Sequence, residues 1–208
     1  VLQLYAHDPF PWLQGLLWAD SPASDWLWLS STWACTGWGM TALALLFTWW
    51  RGRGGAPIAG APPAWWRGGR AGLLLWRTLP AFASLLLAGI VANAVKLLVW
   101  APRPQAKEAA ALLEPGTFHV LEVIRGHGSF PSGHSASAAA LATWALLRFG
   151  WRGWPLLALG ILGGLSRVAV GAHWTVDVLG GWTVGALGAI AVRAVERRLE
   201  TRRAAKAA

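Results

Sequence analysis

The chain has 208 residues; 55% are hydrophobic, only 13% are charged, and 17 are tryptophan. Soluble domains are about 25% charged, so this composition excludes an ordinary soluble domain and fits one integral membrane domain over residues 1–208. The net charge of +9 does not indicate a nucleic-acid partner, because the basic residues flank apolar stretches instead of lining one face.

Residues 1–25 are mixed and broken by Pro9, Pro11 and Pro22. Phe10, Trp12, Leu13, Leu16 and Leu17 fit one face of a short helix lying at a membrane interface. No basic n-region precedes an apolar core there, so no cleavable leader is expected. Trp26 to Trp50 carries no charge and is long enough for a bilayer span of roughly 20 residues. Cys35, the single cysteine, lies in that stretch and reads as a small packing residue. It excludes an intrachain disulfide and a cysteine-based zinc site.

Residues 51–72 are rich in Gly, Pro and Arg and read as a loop. A second span is expected over about 73–101. A polar loop follows to 131, with a short helix in AKEAAALLE. Further spans are expected at about 132–148, 155–172 and 176–195, with a tight basic turn from Arg148 to Trp154. The fold class is thus an all-α membrane bundle of about five transmembrane helices over 26–195, plus the interfacial N-terminal helix. A basic tail, 196–208, ends it as a frayed helix. Gly160/Gly164 and Gly181/Gly185 are small-xxx-small pairs that let helix backbones approach.

Five spans place the termini on opposite sides. With the N-terminus outside, the inner side holds most of the 18 basic residues, and the outer side only Lys96, Arg103, Lys107, Arg125 and Arg167. The positive-inside rule selects this orientation, with a cytoplasmic C-terminus. Lys96, Arg103 and Arg167 fall at one membrane level. One such cation is explained equally well by snorkelling; three together point to a functional site.

His134 opens the third span and His173 closes the fourth on the same outer side. Asp177 follows His173 at helical i, i+4 spacing. A carboxylate there either orients the imidazole or simply favours a helix start. A metal on His134, His173 and Asp177 is conceivable, but a divalent cation would be repelled by the three basic residues. They suit an anion, and phosphate is the natural one. Ser132 and Gly133 fit either a plain helix cap or a backbone cradle for that anion. His119 and His127 lie in the outer loop and read as solvated residues that could also line a substrate mouth.

Read together, KLLVWAPRP (96–104), PSGH (131–134) and SRVAVGAHWTVD (166–177) resemble the three-part signature of the type-2 phosphatidic acid phosphatase superfamily. Every fixed position of that signature is present. The resemblance implies a metal- and cofactor-free lipid phosphatase in a bacterial cell membrane, with a periplasmic site at the membrane rim. It implies that Lys96, Arg103, Ser132, Gly133 and Arg167 hold phosphate, that His173 attacks phosphorus, that Asp177 orients it, and that His134 serves as acid and base. Pro104, Pro131 and Ser166 would shape the site. The substrate would be a membrane lipid phosphate: undecaprenyl pyrophosphate is favoured, with phosphatidylglycerol phosphate or phosphatidic acid also in range. Transfer of the phosphate to another lipid, such as lipid A, is the alternative. A soluble vanadium haloperoxidase shares the signature but not the spans. A non-enzymatic transporter would be expected to show a degraded motif.

Overall fold

The structure is a computed structural model and describes residues 5, 7–53, 69–109, 118–124 and 128–207. Among these residues every regular element is helical: α1 (Phe10–Leu17), α2 (Pro22–Ala34), α3 (Gly37–Arg53), α4 (Gly69–Leu98), α5 (Gly133–Phe149), α6 (Trp154–Ala169) and α7 (Thr175–Ala207). Two short 3₁₀ turns, Lys107–Ala109 and Gly150–Gly153, complete the set. The second is the turn anticipated between Arg148 and Trp154. Of the helix anticipated in AKEAAALLE only the 3₁₀ turn is described; the rest of it, most of the 51–72 loop, and Arg125 and His127 lie outside the described residues.

The uncharged stretch from Trp26 to Trp50 is two helices, not one. α2 starts on Ser21, whose hydroxyl accepts from Ser24 N at 3.3 Å, with Pro22 in its first turn. It ends at Cys35. Thr36 then restarts the chain, its Oγ1 accepting from Gly39 N at 3.2 Å and its carbonyl from Met40 N at 2.9 Å. A capping hydroxyl followed by Gly37 and Gly39 favours a new helix start over continuation. Hydropathy alone does not register such a break.

Two described helices are long and apolar enough to cross a membrane: α4, and α7 over Thr175–Ala205. α4 has 30 residues, about 45 Å at 1.5 Å per residue. Its buried stripe is small: Ala81, Ser84, Ala88 and Ala92. Ala88 and Ala92 meet Ala136 and Ala140 of α5, so side chains scarcely separate the two backbones. α5 is the central helix, packed against α4, α6 and α7.

The small pairs read from the sequence sit at these crossings. A Cβ on Gly181 or Gly185 would run into the α5 backbone at Ser132 O or Ala136 O, and one on Gly160 would press on Ala138 O and Ala142 Cβ. Gly164 serves differently: its missing side chain makes room for the Trp182 ring. At the end remote from His173, Arg148 of α5 reaches Glu196 of α7 at 3.0 Å. The basic tail continues α7 as helix to Ala207.

α1 buries a different face from the one its hydropathy suggests. Phe10 and Gln14 are buried, with Leu13 and Leu17 packed beside them, while Trp12 and Leu16 point outward at 67% and 65% exposure. The reason is polar. Gln14 Nε2 donates to His119 O (2.8 Å), Val168 O (3.2 Å) and Ala169 O (3.1 Å), and its Oε1 accepts from His119 N (2.9 Å). The side chain satisfies backbone groups left open at the end of α6, where burial without partners would be costly.

Gly185→Ala is expected to lower the melting temperature in detergent, costing about 1–3 kcal/mol through overpacking. Gly15→Ala, where a Cβ meets nothing within 4 Å, is expected to be neutral or stabilising by up to about 1 kcal/mol. Thermal melts of the two variants side by side check this.

Candidate active site

Four elements bring the candidate residues to one end of the bundle. Lys96 is in the last turn of α4, and Arg103 follows in the extended chain beyond it. Ser132 caps α5, with Gly133 and His134 as its first two residues. Arg167 is in the last turn of α6. His173 lies in the turn before α7, and Asp177 in the first turn of α7.

The short α6–α7 turn is held rigidly. Ala172 N and His173 N both donate to Arg167 O at 3.1 Å. Gly171 has φ 73°, a left-handed conformation that glycine adopts freely, and a Cβ there would strike the His119 carbonyl. Trp174 is buried, and its Nε1 donates to Pro102 O at 2.8 Å. That bond ties the chain around Arg103 to the turn carrying His173.

His173 is 2% exposed. Its Nδ1 faces Asp177 Oδ2 at 3.3 Å and Ser129 Oγ at 3.4 Å, and its Nε2 faces Arg103 Nη1 at 3.2 Å. A guanidinium only donates, so Nε2 is the acceptor and Nδ1 carries the proton. The network therefore selects one tautomer. Burial, with Arg167, Arg103 and Lys96 nearby, holds the imidazole well below its ordinary pKa. His173 is a neutral base surrounded by cations. His134 is half-buried and within electrostatic reach of the same four residues, Arg167, His173, Arg103 and Lys96.

The three cations have different surroundings. Lys96 Nζ donates to Gly128 O at 2.6 Å and to Ser129 O at 3.4 Å. Arg103 Nη1 also donates to Ala172 O at 3.0 Å. Arg167 is fully buried; its Nη1 pairs with Glu122 Oε2 at 2.6 Å, while its Nε and Nη2 and the Nε of Arg103 are buried without a partner among the described residues. These donors have capacity for a further acceptor. Ser132, also fully buried, donates its N–H to Asp177 O at 2.9 Å, and its Oγ accepts from Ser135. Pro104 and Pro131 are buried, and Ser166 Oγ bonds Gly163 O and accepts from Thr32 of α2.

Several residues around this cluster carry no part of the three motifs. Ser129 donates a short hydrogen bond to Asp177 Oδ2, and Tyr5 donates to Asp177 Oδ1 at 3.0 Å. Glu122 engages Arg167. Gln105 pins the Glu122 segment, donating to Glu122 O at 2.7 Å and accepting from Ile124 N at 3.1 Å. Asp8 caps α7 through Thr175 N and Val176 N at 3.1 and 2.8 Å. Ser129 was the most visible of these, three residues before Ser132 in an otherwise greasy chain. Tyr5 and Glu122 had no sequence signal, because their partners are 172 and 45 positions away. His119 is exposed and stacks on Trp18 at 3.6 Å between ring centroids, so it anchors its loop to the N-terminal segment.

Residues 77–200 match the PAP2 superfamily. The chain belongs to the PAP2 superfamily. The matched PAP2 region contains all three motifs and omits α1 to α3. Undecaprenyl-diphosphatase BcrC of Bacillus subtilis is 38% identical over 99 residues, 47% of this chain and 47% of that protein. Lipid A 1-phosphatase of Rhizobium johnstonii is 34% identical over 109 residues, 50% of this chain and 42% of that protein. The chain thus spans about half the length of the curated relatives it matches. The crystal structure of Aquifex aeolicus LpxE superposes over 92% of this chain and 93% of that one, with a TM-score of 0.61 at 22% identity. The fold of that structure is therefore shared along nearly the whole chain, including the part outside the family match.

The buried neutral His173 has a consequence for folding. Unfolded histidine takes a proton below about pH 6.5, and folded His173 does not. The unfolded state then binds more protons, so stability falls as pH drops from about 6.5 toward the folded value, by at most about 1.4 kcal/mol per pH unit for this group. His173→Gln is expected to flatten that slope in melting temperatures measured from pH 7.5 to pH 5.

Proposed function

We propose that this protein is a metal-independent phosphatase that removes phosphate from a membrane lipid through a phosphohistidine intermediate. One observation carries the reading: a neutral, buried His173, backed by Asp177, has its free nitrogen directed at Arg103 in a site with open Arg donors. Undecaprenyl pyrophosphate is the favoured substrate, supported by the name of the Bacillus relative; phosphatidylglycerol phosphate and phosphatidic acid are the other lipids in range. Three cations make the place unfavourable for a divalent metal and favourable for a phosphoryl group.

In this reading Lys96, Arg103 and Arg167 bind the equatorial oxygens, joined by Ser132 and the Gly133 N–H at the positive end of α5. Arg103 passes from His173 Nε2 to phosphate, which frees the lone pair. Nε2 attacks phosphorus as the bond to the leaving oxygen breaks, and His134 supplies the proton to that oxygen. Asp177 accepts from Nδ1–H and offsets the charge that the ring gains. His134 then takes a proton from water, which attacks the phosphohistidine and releases phosphate. Fixed cations aimed at the developing charge supply most of the catalysis.

Membrane insertion supports a lipid substrate. Leu86 and Ile90 of α4, Ile161 of α6, and Leu187 and Ile190 of α7 are 45–66% exposed, and an apolar belt of that kind suits lipid. We read α4, α5, α6, α7 and the broken α2–α3 pair as five crossings. Arg51, Arg70, Arg77, Arg148, Arg152 and Arg193 then fall on the cytoplasmic side and the site on the periplasmic side of a bacterial cell membrane. A groove of about 1040 Å³ along α3 and α4 is lined by Trp38, Phe82, Leu86, Ile90, Leu97 and Ser137. Leu97 adjoins Lys96 and Ser137 is three residues past His134, so the groove suits the chain of the lipid being cleaved.

The test is phosphate release by purified protein, in EDTA, from undecaprenyl pyrophosphate, phosphatidylglycerol phosphate and phosphatidic acid. Release is expected without metal, and His173→Ala is expected to lower kcat at least about 1,000-fold. Loss of activity on chelation, or full activity in His173→Ala, would overturn the reading. Glu122→Gln removes a carboxylate that competes for Arg167. Inorganic phosphate is therefore expected to inhibit this variant roughly five-fold more tightly, about 1 kcal/mol, as read from inhibition constants.

A further inference from the structure

Asp177 is fully buried, and its carboxylate is held by residues from three parts of the chain. Oδ2 accepts from Ser129 Oγ, Trp174 N at 3.0 Å and His173 Nδ1 at 3.3 Å. Among the described residues Oδ1 has one donor, the Tyr5 hydroxyl at 3.0 Å. Tyr5 is 3% exposed and lies far outside the matched family region, residues 77–200.

Tyr5 is fixed in place. Its ring packs on Trp174 at 5.2 Å between centroids, and its carbonyl accepts from Asp8 N at 3.1 Å. Asp8 in turn caps α7 two residues before Asp177. Phe10 meets the Trp174 ring edge-on at 5.4 Å between centroids. Tyr5 and Phe10 thus both pack on the Trp174 ring, while Asp8 holds the start of α7.

We propose that Tyr5 is a positioning residue for His173, acting through Asp177: its hydroxyl holds Oδ1 and shares the carboxylate charge, which fixes how strongly Asp177 draws on the imidazole. The proposal extends the reading of His173 as nucleophile and rests on it for the kinetic consequence only. A carboxylate that accepts more hydrogen bonds is a weaker partner for an imidazolium. With the Tyr5 donor present, Asp177 orients His173 without pulling a second proton onto the ring. Burial and the neighbouring Asp177 push the Tyr5 phenol above its ordinary value, so the donor keeps its proton throughout the working range. The other charged or titratable groups facing His173 are Arg167 on α6, Lys96 and Arg103 at the end of α4 and beyond it, and His134 on α5; Asp8 faces Tyr5. None of these changes in Tyr5→Phe.

The test compares full-length wild type with Tyr5→Phe, which keeps the ring and removes the donor. Farnesyl pyrophosphate is the kinetic probe. The acidic limb of kcat/KM is expected to move up by roughly half a pH unit or more. The rate on that limb then falls several-fold at unchanged KM. A second readout needs no substrate: the His173 ring titration, followed by NMR of histidine-labelled protein and assigned with His173→Gln, is expected to shift upward in the same variant. A folded Tyr5→Phe whose His173 titration does not move overturns the proposal, whatever happens to turnover. A wild type that does not hydrolyse farnesyl pyrophosphate or the membrane lipids above counts against the phosphatase reading, and the NMR shift then decides the role of Tyr5 alone.

Discussion

Asp177 joins the parts of this protein that would otherwise be independent. Its carboxylate receives the N-terminal segment through Tyr5, the 128–132 segment through Ser129, and the α6–α7 turn through His173 and Trp174. Its backbone carbonyl receives Ser132 N, which sets the start of α5 against the start of α7. A fully buried carboxylate is tolerable only when nearly every lone pair is occupied. That requirement drives convergence: each segment supplies a donor, and in doing so is placed within reach of His173.

A second constraint is the crowding of positive charge. Lys96, Arg103 and Arg167 lie close enough together to oppose one another, in a region where low polarity strengthens the repulsion. The protein manages this with local acceptors. Lys96 rests on the carbonyls of Gly128 and Ser129, Arg103 on that of Ala172, and Arg167 on Glu122. Each acceptor is neutral or lies at the edge of the site, so the positive field survives. The same field, with burial, lowers the pKa of His173.

The helix bundle serves this end of the molecule by keeping backbones close. Alanine and glycine line the α4–α5 and α5–α7 crossings, so three helix ends meet within a few residues of one another. Large side chains there would push Lys96, Ser132 and Asp177 apart, and at Gly181 would strike Ser132 O itself. The pairs Gly160/Gly164 and Gly181/Gly185 were legible as close-approach positions because their spacing alone puts each pair on one helix face. That Gly164 accepts an indole ring, and the others a backbone, was not legible, since it depends on which helix lies opposite.

The sequence by itself determined the helical class and the identity of the motif residues, because hydropathy, helical period and motif spacing are all local along the chain. It did not determine where the first apolar stretch breaks: Thr36 caps a new helix inside a run that hydropathy reads as continuous. Nor did it determine the buried face of α1, where Gln14 is drawn inward by carbonyls more than a hundred residues away. Only the tertiary structure decided that Tyr5, Ser129 and Glu122 stand around His173 and its neighbours. Their hydrogen bonds and ion pair join residues 45 to 172 positions apart, and contacts of that kind leave no periodic trace in the sequence.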